Sequence, residues 1–158
     1  MKKESLRRLT MAALCGAVAF VLMFFSFSVP VLSPFAEFDF SALPELIGGF
    51  ILGPVGAIEI IVVKIGLKLL FKGSSSLLTG ELMNLILSLA YLLPTLWYYR
   101  SHRTRRGAVI GLAIGTALSV IISIFTNVYV IFPLYIKLYG MNWDGIIEIC
   151  AAVNPWIK

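Results

Sequence analysis

Lys64 and Lys68 lie four residues apart in a stretch that is otherwise almost wholly apolar. On a helix they share one face, where two like charges repel unless an anionic or polar partner sits beside them. A charged side chain at the centre of a membrane helix costs about 2.5–3.5 kcal/mol on insertion scales, so each is a candidate for function. Two roles stay open: contact with a ligand, or a structural role in which Lys68 snorkels outward and Lys64 pairs with a carboxylate such as Glu59 or Glu81. Glu81 and Asn84, three residues apart, share a face near the outer end of the next helix. Glu81 also fits an ordinary first-turn acid facing the helix dipole. Asn127 stands in an apolar run followed by Tyr129, Pro133 and Tyr135, and its amide must find partners, either on another helix or on a ligand.

The chemistry available is therefore hydrogen bonding and charge pairing, not bond making. The chain carries no nucleophile elbow, no phosphate-binding glycine loop and no His or Cys set with metal spacing. No catalytic residue, metal or cofactor is expected, and any ATP hydrolysis must come from other subunits. Cys15 and Cys150 are too far apart in sequence to suggest a metal motif or a disulfide framework and read as small hydrophobes. His102 lies in a basic loop and reads as solvated.

These residues are positioned by membrane-spanning helices. Of 158 residues, 59% are apolar and 13% charged, against about 25% charged in soluble domains. The apolar runs are too long and continuous for β-barrel strands. The spacing predicts an all-α bundle of five spans in one domain covering residues 1–158: helices over 5–27, 41–52, 54–71, 81–99 and 107–139. Pro30 and Pro34 stop the first helix, Ser41 caps the second, and Pro94 and Pro133 are expected to bend the fourth and fifth. At about 12 residues the second is short for a crossing of about 30 Å. The basic N-terminus lacks a small-residue cleavage site and reads as a retained helix rather than a signal peptide. Residues 141–158 read as a connection.

The net charge of +5 is topological rather than a sign of nucleic-acid binding. Lys2, Lys3, Arg7 and Arg8, and again Arg100, Arg103, Arg105 and Arg106, flank apolar runs and place both clusters on the cytoplasmic side. The N-terminus is then inside, and five crossings leave the C-terminus outside. Trp97, Tyr98 and Tyr99 form an interfacial belt. Ala13 and Ala17, with Ala12 and Gly16 at the same spacing, form small-xxx-small pairs that permit close helix approach. No internal repeat is found, which weighs against transporters built from inverted repeats.

The segments Phe38-Asp39-Phe40-Ser41-Ala42-Leu43-Pro44, Gly53-Pro54-Val55-Gly56, Gly80-Glu81-Leu82-Met83-Asn84, Leu93-Pro94, Asn127 through Tyr135 and Val153-Asn154-Pro155 carry a resemblance over almost the whole chain. In their order and spacing the sequence resembles the S components of energy-coupling factor (ECF) transporters, particularly the riboflavin-binding group. The resemblance implies a six-helix vitamin binder of the bacterial cell membrane with its pocket near the outer face. It also implies a transmembrane coupling subunit docked on the first helix, at Ala13 and Ala17, two ATPase subunits as the energy source, and a toppling motion in the lipid bilayer. The expected ligand set is Phe38, Asp39, Lys64, Glu81, Asn84, Asn127, Tyr129 and Tyr135. Two features depart from the riboflavin pattern: Ile65 follows Lys64 where Asn is usual, and Ala42 follows Ser41 where Asp is usual. Pantothenate, an anion that Lys64 or Lys68 would neutralise, is the competing ligand, and a structural subunit without a ligand is the competing class. The sixth helix would follow Lys158, so the chain is expected to be incomplete at its C-terminus.

Overall fold

The computed structural model describes residues 2–25, 27–28, 37–38, 40–71, 73, 79–139 and 145. Helix α1 (Lys2–Met23) is followed by a two-residue antiparallel ladder of β1 (Phe27–Ser28) with β2 (Glu37–Phe38). Then come α2 (Ala42–Phe71), α3 (Thr79–Ser101), α4 (Arg105–Thr126), a π-helical turn (Asn127–Ile131) and α5 (Phe132–Tyr139). The first helix thus ends before its expected limit at residue 27, because Phe27 and Ser28 give their backbone to the ladder.

Among the described residues four helical stretches are long and apolar enough to cross a membrane: Ser5–Met23, Ala42–Phe71, Thr79–Ser101 and Arg105–Ile131. The expected count of five separate spans is corrected to four, and the reason lies at Gly53. Its backbone leaves helical geometry (φ 81°, ψ −176°) in the middle of α2. Across this break the chain folds back on itself. Gly48 packs on Ile60, Gly49 on Ala57, and Glu45 pairs with Lys64. The expected second and third helices are the two arms of one hairpin, residues 42–52 and 54–71. At 1.5 Å per residue the first arm reaches about 16 Å, too short to cross a core of about 30 Å, whereas the second reaches about 27 Å.

Against this hairpin α1 runs alongside the second arm. Arg8 meets Glu59, Gly16 sits against Val63 and Ile60, and the rings of Phe20 and Phe71 lie 5.7 Å apart. The buried core is Ala57 and Ile61 of the second arm with Leu92 and Leu96 of α3. Helix α3 continues through Pro94 as one element. The Thr104 side chain caps α4 by accepting from the Gly107 amide at 3.0 Å. A Cβ at Gly111 would lie 2.8 Å from the Thr95 carbonyl oxygen, and one at Gly115 would press on that of Tyr91. These two glycines, four apart, bring α3 and α4 together at backbone contact, as small residues do in membrane helices.

The long fifth helix expected to bend at Pro133 instead changes geometry earlier. Pro133 supplies no backbone N–H, and its ring would press on the carbonyl of the residue four earlier, Tyr129. The π-helical turn over Asn127–Ile131 relieves that crowding ahead of the proline. Large apolar side chains face outward along every span, including Leu70 at 82% and Trp97 at 76% exposure. Such continuous apolar surface is suited to lipid, not water.

The Gly53 turn lies at the same end as Arg8, Arg100 and Arg103, with which it lines one cavity. There Arg8 bonds Glu59 at 3.2 Å, with both side chains more than a third exposed. Because solvent screens such pairs, Glu59→Gln is expected to change the unfolding free energy in detergent by less than about 1 kcal/mol, measured by denaturant titration.

Candidate functional site

The opposite half of the hairpin gathers polar side chains. Ser41 immediately precedes the first arm and Glu45 lies in it, Lys64 and Lys68 come from the second, and Thr79, Glu81, Asn84 and Ser88 from α3. Each arm contributes by helical spacing: 41 and 45, 64 and 68, and 81, 84 and 88 share faces. Ser41, Glu45, Lys64, Thr79 and Glu81 are all buried to at least 96%.

An ammonium offers three donors, and Lys64 directs its own to three protein groups. It forms an ion pair with the Glu45 carboxylate, donates to Ser41 Oγ at 3.2 Å and to Ser88 Oγ at 3.4 Å. Lys68 Nζ lies 3.0 Å from Glu81 Oε1. The two lysines are therefore compensated separately, one within the hairpin and one across to α3. Two expectations are corrected here. The partner of Lys64 is Glu45, not Glu59 or Glu81, because the turn at Gly53 brings the first arm back beside it. Lys68 does not reach outward; its side chain is 16% exposed and held by Glu81.

Burying these charges costs several kcal/mol per ion unless geometry and additional hydrogen bonds compensate. The two serines supply such bonds to Lys64. By contrast, Thr79 Oγ1 and Asn84 Oδ1 are buried with no hydrogen-bond partner among the described residues. A buried polar atom without a partner has an unmet demand for one, and these two sit beside the paired charges at the start of α3.

Asn127 lies at the head of the π-helical turn and donates back to Ser123, to its carbonyl at 2.9 Å and its hydroxyl at 3.3 Å. The antiparallel register fixed by Gly111 on Thr95 and Gly115 on Tyr91, continued along α4, brings Asn127 level with the first turn of α3. Tyr129 is 72% exposed and stacks on Phe125 at 6.1 Å, so its ring is not gathered with the buried cluster. Tyr135 belongs to α5 and Phe38 to β2, but their side chains, like the whole of Asp39, lie outside the described residues.

On α1 the small residues divide. Ala12 is fully buried, and Gly16 is so close to the second arm that a Cβ there would lie 2.6 Å from Val63. Ala13 is exposed and Ala17 half-buried. Intramolecular packing thus takes the first pair and leaves Ala13 on the outside.

Sequence reasoning missed Glu45, Ser41 and Ser88 as members of the cluster. Glu45, in the first turn of its helix, also fits an acid facing its own dipole, and Ser41 read as a cap. Their i,i+4 relation was visible, as was that of Ser88 to Asn84, but only the hairpin makes them one site. Among the described residues no three His, Cys, Asp or Glu side chains converge in a metal-binding group. The site offers amide, hydroxyl and paired-charge hydrogen bonding.

The family described as "ECF transporter, substrate-specific component" matches residues 7–157. The chain is 32% identical over 135 residues to the riboflavin transporter RibU of Staphylococcus aureus (strain TCH60), covering 85% of this chain and 70% of that protein. It is 29% identical over 130 residues to the riboflavin transporter FmnP of Bacillus subtilis (strain 168), covering 82% and 68%. A solved structure described under "Structure and mechanism of the S component of a bacterial ECF transporter" superposes with a TM-score of 0.77 at 30% identity, over 96% of this chain and 84% of that one.

Proposed function

Because this chain belongs to the substrate-specific components of ECF transporters, a family of non-enzymatic, multi-pass membrane subunits, we propose that it captures riboflavin for uptake across a bacterial membrane. The relatives at about 30% identity are riboflavin transporters, and the observation that carries the choice of ligand is the charge balance of the site. Lys64 with Glu45 and Lys68 with Glu81 leave the cluster with no net charge. An electroneutral site suits riboflavin, a neutral molecule with several hydrogen-bonding groups. Pantothenate brings a carboxylate, and its ammonium partner would have to be taken from Glu45 or Glu81, leaving a buried acid uncompensated.

In this reading Asn84 and Asn127 supply amide hydrogen bonds to the ligand. Lys64 and Glu81 form the charged floor that holds the arms and α3 in register. Phe38, Asp39 and Tyr135 contribute walls, and Tyr129, with its exposed ring, belongs to the rim. Mostly apolar walls with a few placed polar groups are the usual composition of a small-molecule site. Capture would take place from the outer side with the N-terminus cytoplasmic. Delivery would require a transmembrane coupling subunit, docked on the α1 face that carries Ala13 and Ala17, and two ATPase subunits.

Asn84→Leu tests the pocket. Losing one ligand hydrogen bond of about 1.4 kcal/mol weakens binding about tenfold, so titration of riboflavin fluorescence with the purified variant should give a Kd about ten times that of the parent chain. An unchanged Kd would remove Asn84 from the pocket.

A further inference from the structure

At the end of the bundle away from the buried cluster, the Gly53 turn closes a cavity of about 410 Å³ lined by Arg8, Arg100 and Arg103. Among the described residues the one acidic group bonded to these arginines is Glu59, on Arg8, so the guanidinium groups leave an excess of positive charge. Arg8 Nε is itself buried without a hydrogen-bond partner among the described residues. Arg100 and Arg103 are exposed and make no ion pair among the described residues. The cavity therefore has several N–H donors available to one anion, arranged as planar forks suited to phosphate oxygens.

Its surroundings are apolar. Ile51 and Val55, also lining residues, are 61% and 59% exposed. On the other side of Pro54 begins a second cavity of about 730 Å³, a groove between α3 and α4 walled by Leu93, Trp97, Ile114 and Leu118. Pro54 lines both. A cationic pocket that adjoins an apolar groove at Pro54, at the end of membrane helices, matches an amphiphile with an anionic head and a hydrocarbon tail, and basic pockets between membrane helices are used to hold acidic lipid head groups.

We infer that this composite site binds an anionic phospholipid, with its phosphate among Arg8, Arg100 and Arg103 and an acyl chain along the α3–α4 groove. Occupation would brace the Gly53 turn against the ends of α3 and α4. The site is separate from the vitamin pocket and does not depend on which vitamin is carried.

The test is the melting temperature of the purified chain in detergent with added phosphatidylglycerol, phosphatidylcholine or inorganic phosphate. Phosphatidylglycerol should raise it by several degrees, and the other two should give less than half that rise. The double variant Arg100→Gln/Arg103→Gln, at exposed positions that leave packing intact, should lose most of the rise. Arg105→Gln/Arg106→Gln, in the same basic segment but outside the cavity, should keep it. Equal stabilisation by phosphatidylcholine would overturn the anionic head group, and a full response to inorganic phosphate would overturn the lipid. Equal loss in both double variants would reduce the effect to diffuse charge. Native mass spectrometry of the parent chain supplies an independent reading: retained phosphatidylglycerol in preference to phosphatidylcholine supports the site, and no preference contradicts it.

Discussion

Lys64→Met should lower the unfolding free energy in detergent by about 3–5 kcal/mol, the range for removing one partner of a buried ion pair. Lys64 and Glu45 are each 1% exposed, so the orphaned carboxylate has no route to water. Ser41 and Ser88, which now accept from Lys64, would lose their donor in the same step. Adding Glu45→Gln to Lys64→Met should recover more than half of the loss, because the buried charge is then gone. Denaturant titration of the two single variants and the double closes the cycle. A loss below about 1 kcal/mol for Lys64→Met would mean that water reaches the pair, and a double variant no better than the single would remove the pairing from the account.

Gly53→Ala should cost about 1–3 kcal/mol, the strain of forcing a side-chain-bearing residue into a backbone region used almost only by glycine. A Cβ at Gly53 would meet nothing within 4 Å, so the loss is conformational and not steric. Gly66 provides the opposite case in the same element. Its Cβ would also meet open space, but its backbone is helical, and Gly66→Ala should stabilise by about 0.5–1 kcal/mol. Thermal unfolding of both variants reads the difference in sign. Equal shifts would show that the turn at Gly53 does not set the hairpin.

That hairpin marks the boundary of what the sequence could disclose. The break at Gly53-Pro54 was legible, since proline cannot continue the preceding helix and glycine ends it. The short length of the first arm was legible too. Its consequence was not, because a pattern of apolar residues fixes where helices stop but not which of them fold back on each other. Lys64 and Lys68 stood out because charge is costly in an apolar run, whereas the identity of their partners depended on the reversal that sets Glu45 beside Lys64. Glu81 and Asn84 were placed on one face by spacing alone. Asn127 was visible as an isolated amide, but the π-helical turn it begins arises from crowding ahead of Pro133. The close contact of α3 with α4 was written in Gly111 and Gly115, a four-residue spacing as plain as that of Ala13 and Ala17. The same spacing serves different ends: the glycines pack inside the bundle, while Ala13 faces outward.

The electroneutral polar cluster beneath the outer end of the hairpin is proposed as part of a riboflavin site, and that assignment ties the stability of the chain to riboflavin. Thermal stability of the purified chain, measured separately with riboflavin and with pantothenate, tests it most directly. At 100 times its Kd a ligand bound only by the folded state adds about 2.7 kcal/mol. Riboflavin should give a rise of that size that keeps growing with the logarithm of its concentration, and pantothenate none; a rise with pantothenate alone, or with neither, would contradict the riboflavin site.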